Sequence, residues 1–96
     1  MEYYMLLATD ADDAHEARMG ARAGHLQRLE ALKAESRVLT AGPNPLPDNP
    51  ERFSGSLIIA RFASLDDAQS WAEQDPYVDA GVYDEILIKP FIAVFK

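Results

Sequence analysis

Two histidines, His15 and His25, are the side chains whose ordinary titration falls nearest neutral pH. The chain has no cysteine, which removes thiol nucleophiles, disulfides and thiolate metal sites from consideration. His15 lies beside acidic residues at the start of a helical stretch, where solvent exposure is expected. His25 is different. At about 100° per residue it shares a helix face with Ala21, Leu29 and Leu32, so an imidazole sits on the stripe that must face the core. Arg18 and Arg22 lie on the same side toward the N-terminus. The stripe therefore turns from apolar to cationic as it passes His25, as expected at the mouth of a pocket. Two readings remain: a proton-transfer group in that pocket, or a core histidine bonded to a backbone carbonyl.

Asp75-Pro76-Tyr77 is the second feature with chemical content. Aspartate before proline commonly ends a helix and begins a turn. If two helices lie side by side on one sheet face, however, this carboxylate would reach His25. A carboxylate on one imidazole nitrogen fixes the tautomer and favours the imidazolium, leaving the other nitrogen for proton transfer. Other sites are poorly supported. Gly42-Pro43 leads into proline-broken chain rather than a helix, so no phosphate loop is present. His25 with one carboxylate is too small a set for a dedicated zinc site. Ser54 and Ser56 lack a nucleophile-elbow context. Acid–base chemistry on a small organic molecule, without metal or organic cofactor, is the best-supported enzymatic class.

The elements that would position these groups follow from periodicity. Tyr3 to Ala8 reads as a strand running into Asp10, Asp12 and Asp13, carboxylates suited to the positive end of a helix dipole. A helix is expected from about Asp13 to Glu35, although Gly20 and Gly24 each cost about 1 kcal/mol relative to alanine. Such a glycine marks either a close backbone approach or a tolerated weakness. Arg37 to Gly42 reads as a second strand. Prolines 43, 45, 47 and 50 then predict an extended loop. Gly55 to Ala63 is a third strand, and Ser64-Leu65-Asp66-Asp67 resembles a capping box that opens a second helix. Asp75-Pro76 should interrupt that helix, with a turn or short helix over Tyr77 to Gly81. Ile86 to Phe95 is the last strand, with Pro90 at an edge or bulge.

The order βαββαβ predicts an α+β, ferredoxin-like sheet with both helices on one face. The 96 residues, 1–96, read as a single domain. Strands one and three are apolar on both faces, and helices can cover only one. The other face is therefore expected to meet a second copy, giving a homodimer through the sheet. Sixteen acidic residues against nine basic give a formal charge of −7, which disfavours nucleic acid and anionic membrane surfaces. No secretory signal or spanning segment is visible, and a cytoplasmic protein is expected.

The combination of Arg22-Ala-Gly-His25-Leu26, Leu39-Thr40-Ala41-Gly42-Pro43, Gly55-Ser56 and Trp71-Ala72-Glu73-Gln74-Asp75-Pro76-Tyr77-Val78-Asp79-Ala80-Gly81-Val82-Tyr83 resembles the YciI-like, YCII-related family of small bacterial proteins. The likeness runs through Lys89-Pro90-Phe91, and the segment from Asp75 to Tyr83 is its most specific part. It implies a ferredoxin-like domain of the dimeric α+β barrel type. It also implies a catalytic pair, His25 and Asp75, with Arg22, Gly42, Pro43, Gly55, Ser56 and Tyr77 lining a substrate pocket. A similar branch acts as a dehydrochlorinase on a chlorinated hydroxyquinol, and related barrels include muconolactone isomerases. The implied function is a lyase or isomerase acting on a small anionic or phenolic molecule. A non-enzymatic small-molecule binding module is the alternative.

Overall fold

Strand-forming aromatic and aliphatic residues near the N-terminus make β1 (Glu2–Asp10), and the alanine-, leucine- and arginine-rich stretch makes α1 (His15–Ala34). The hairpin β2 (Val38–Leu46) and β3 (Asn49–Phe62) follows. Then come α2 (Leu65–Glu73), the single turn α3 (Pro76–Asp79) and β4 (Tyr83–Phe91). The computed structural model describes every residue from Met1 to Lys96. Its four strands form one antiparallel sheet in the order β2-β3-β1-β4. This is the ferredoxin-like βαββαβ arrangement, with α3 added between α2 and β4.

Strand alternation sorts the side chains. Leu6, Ile58, Ala60 and Phe62 point to one face and pack with Leu32 of α1 and Ala68 and Ala72 of α2. Ser64 caps α2 as expected, its Oγ accepting the Asp67 N–H at 3.1 Å. On the opposite face Leu57, Leu7 and Leu87 lie in register across three strands. Leu7 and Leu87 are 37% and 46% exposed there, so an apolar row lies open on the side away from the helices. No helix is long and apolar enough to cross a membrane.

Three expectations need correction. The proline-rich stretch is not a loop: Pro43 and Pro45 lie in β2 and Pro50 in β3. Proline is tolerated because β2 is an edge strand with register shifts around Asn44 to Leu46. Pro50 lies in the part of β3 that extends beyond its pairing with β1, which covers only Gly55 to Phe62. The last strand runs from Tyr83 to Phe91, earlier than Ile86 to Phe95, and pairs with β1 over Tyr3 to Asp10. Asp10, expected in the polar turn ahead of the helix, ends β1 instead. Pro90 does sit on an edge strand, β4.

Gly24 marks a close approach. A Cβ there would lie 3.1 Å from Pro76 Cγ, so the missing side chain lets α3 pack tightly on α1. Gly20 has nothing within 4 Å and is simply a weak helix residue.

Candidate functional site

His25 sits midway along α1 and is 6% exposed, on the inward stripe that its spacing predicts. Asp75 is placed by a different device. It is the N-cap of α3, and its Oδ1 accepts the Tyr77 N–H at 2.9 Å. Pro76 at the first helical position fixes the turn, and its ring rests against Gly24. The carboxylate consequently reaches His25, with Nδ1 2.8 Å from Oδ2 and 3.1 Å from Oδ1. Opposite an ionised carboxylate, which only accepts, Nδ1 is the nitrogen that would carry the hydrogen and donate it. Nε2 is left as the ring nitrogen available to another molecule. The Tyr77 ring stacks on the imidazole, with centroids 4.0 Å apart and planes 13° apart.

His25 lines a cleft of about 280 Å³ between α1 and the β2–β3 side of the sheet. Arg22, Gly42, Pro43, Ser56 and Tyr77 line it too, so five of the six expected pocket residues share this wall. Gly55 does not. Its carbonyl accepts Arg18 Nη2 at 3.1 Å, and any Cβ on it would collide with the Ala8 carbonyl oxygen, so it serves strand packing. Asp75 lies behind His25 rather than in the cleft wall. A larger groove of about 440 Å³ runs between α2 and β4, rimmed by Glu73, Asp84 and Glu85. It contains no histidine. Chemistry rather than size therefore selects the His25 cleft.

The least expected member is Arg18, which the helical spacing placed on the cationic side but which is only 5% exposed. Its guanidinium makes a two-point ion pair with Asp10, Nε to Oδ2 at 2.9 Å and Nη2 to Oδ1 at 3.0 Å. Nη2 also donates to Ser56 Oγ at 2.9 Å, and the guanidinium lies 4.8 Å over the Tyr77 ring. Burial alone would lower its pKa, but the hydrogen bond and charge of Asp10 outweigh that and raise it. Ser56 accepts from Arg18, which frees its own hydroxyl hydrogen to donate elsewhere. His15 is half-buried rather than exposed, with a shielded, unpaired Nδ1.

Two phenols complete the surroundings. Burial pushes Tyr77 above its ordinary 10.0, with Arg18 and Arg22 pulling the other way. Burial also pushes Tyr83 far above 10.0. Ser56 opposes that shift without reaching hydrogen-bond geometry, and the Tyr83 hydroxyl is buried without a partner. Tyr83 meets Tyr77 edge-on at 5.4 Å. No cluster of three or more histidine or carboxylate side chains is arranged to hold a metal ion.

A profile of the YCII-related domain matches residues 2–92. The chain belongs to the YCII-related family. It is 48% identical to the protein YciI of Escherichia coli, over 96% of this chain and 98% of that one. It is 50% identical to an uncharacterized protein of Haemophilus influenzae, over 97% and 99% respectively. Among solved structures it is similar to the 5-chloro-2-hydroxyhydroquinone dehydrochlorinase of Burkholderia phenoliruptrix in complex with 2,5-dihydroxybenzoquinone. That match has a TM-score of 0.82 and 25% identity, covering 94% of this chain and 93% of the other. A dimeric ferredoxin-like protein of unknown function from Bacteroides fragilis shares the fold, with a TM-score of 0.55 and 20% identity over 93% and 92%. The family assignment agrees with the resemblance carried by the Asp75–Tyr83 segment.

Proposed function

We propose that this YCII-related protein is a small-molecule enzyme of lyase or isomerase type, with His25 as its general base and acid. His25 Nε2 takes a proton from a cyclic, oxygenated substrate. The released electron pair either expels a leaving group such as chloride or shifts a double bond, with the proton returned at another atom. Asp75 holds the Nδ1–H tautomer and stabilises the imidazolium formed in that step. Arg22, exposed on the cleft wall, balances a carboxylate or phenolate on the substrate. Ser56 donates a hydrogen bond to one of its oxygens, while Tyr77 supports the imidazole by its ring face.

The observation that carries this reading is the 2.8 Å contact between His25 Nδ1 and Asp75 Oδ2 at the wall of a cleft. The volume of about 280 Å³ suits a single-ring molecule. Similarity to a dehydrochlorinase in complex with a dihydroxybenzoquinone supports a phenolic or anionic ligand class. Residues 1–96 act as one domain in the cytoplasm, and the open Leu57–Leu7–Leu87 row meets its equivalent in a homodimer. The mechanism assigns no step to a metal or organic cofactor.

The test is a panel of chlorinated and hydroxylated quinols assayed for both binding and turnover, with the unaltered protein and His25→Ala. Consumption of one compound that falls at least 100-fold in the variant supports the enzyme. Saturable binding with no consumption of any bound compound establishes the binding module instead.

A further inference from the structure

Asp75 is 1% exposed, and a carboxylate that deep is costly unless its charge is compensated. The Tyr77 N–H contributes a hydrogen bond, but a neutral His25 contributes only the Nδ1–H dipole. A full positive charge comes from Arg28, whose Nη1 lies 3.9 Å from Asp75 Oδ2. Arg28 is one turn beyond His25 on α1 and is pinned from the other side. Its Nη2 donates to the Trp71 carbonyl at 2.7 Å, and its guanidinium stacks 4.3 Å over the Trp71 ring. Trp71 lies in the last turn of α2, which has no basic residue of its own there, so the same cation faces the negative end of that helix. Nη1 itself is buried without a hydrogen-bond partner. No other lysine or arginine pairs with Asp75.

We propose that Arg28 is a positioning residue for the His25–Asp75 pair: its fixed charge keeps Asp75 ionised while His25 is neutral. The imidazole then rests as a base with a free Nε2 instead of being locked as an imidazolium. The proposal rests on the acid–base reading above, since only a proton-transfer histidine needs this resting state. The other titratable or charged groups around the pair are Arg22 on α1, Tyr77 on α3, Arg18 over the Tyr77 ring, and Tyr83 on β4. Among them the two arginines also disfavour an imidazolium, so the Arg28 contribution must be read as a difference between variants.

The experiment follows the His25 ring resonances by NMR against pH in the unaltered protein, Arg28→Gln and Arg28→Lys, with sheet amide signals reporting the fold. A synthetic chain carrying neutral citrulline at position 28 retains the guanidinium shape and serves if Arg28→Gln fails to fold. Loss of the charge is expected to raise the His25 midpoint by about one pH unit, while Arg28→Lys stays near the unaltered value. An unchanged midpoint in the neutral variant overturns the proposal. So does an equal rise in Arg28→Lys, which would make the stacking on Trp71 the cause. No substrate is used, so failure here is separate from failure of the enzymatic reading, which turnover by His25→Ala decides.

Discussion

The imidazole of His25 and the phenol ring of Tyr77 stack at 4.0 Å, although the two residues are held on different helices. The same four-residue helix supplies both the stacked ring and, through its N-cap, the carboxylate on Nδ1. One short turn therefore fixes the imidazole in two directions, by its edge and by its face.

That double role can be separated by substitution. Tyr77→Phe keeps the stack and should leave stability and ligand binding near those of the unaltered protein. Tyr77→Ala removes a fully buried ring and should cost about 3–5 kcal/mol in urea unfolding. Equal losses for both variants would show that the hydroxyl, not the ring, matters.

Asp75→Asn retains an oxygen to accept the Tyr77 N–H but no longer favours a protonated imidazole. Turnover should fall by about 10²–10⁴-fold, as for His25→Ala, and the double variant should be little worse than either single one. Additive losses in steady-state rates would mean that the two residues act separately.

Gly20 and Gly24 lie one turn apart on α1 and should respond in opposite ways. Gly20→Ala meets open space and should gain about 1 kcal/mol of stability. Gly24→Ala must push against Pro76 and should show none of that gain, with weaker ligand binding as α3 is displaced. Chemical denaturation of the two variants checks this directly.

Tyr83 sets an alkaline limit. Its folded-state pKa is raised above the ordinary 10.0 by burial, so the unfolded chain releases that proton first. The stabilising contribution is complete below pH 10 and is lost as pH rises above it. Urea midpoints measured from pH 8 to 11.5 should fall at the alkaline end, and the fall should be shallower in Tyr83→Phe. Tyr77 acts in the same direction, so some decline persists in that variant.

Leu7→Lys places a charge in the middle of the open sheet face without touching the helix-side core. Sedimentation should show a dimer for the unaltered protein and a monomer for this variant. A dimer that survives the substitution would place the interface elsewhere.

The element order, the Ser64 cap and the inward stripe of α1 were legible because each is written within a few neighbouring residues. His25 could be assigned to the buried side from Ala21, Leu29 and Leu32 alone. Its contact with Asp75, 50 residues away, could only be made plausible by a fold in which both helices share one sheet face. Arg18 and Asp10 were harder to read. A carboxylate next to a helix start suits the dipole equally well, and nothing local shows that it ends a strand and grips an arginine eight residues on. Arg28 carried no signal at all. Its significance comes from Trp71 and Asp75, which reach it only through the packing of α2 and α3 on α1.

Four closely spaced prolines exclude helix and central strand but not an edge strand, where the exclusion of an N–H donor breaks no ladder bond. On β2 that exclusion is protective. An unfinished sheet margin invites stray polypeptide to add itself as a further ribbon, the first step toward fibrous aggregates. Pro43 and Pro45 place two residues without an N–H in the strand at that margin, which disfavours uncontrolled lateral growth along this side.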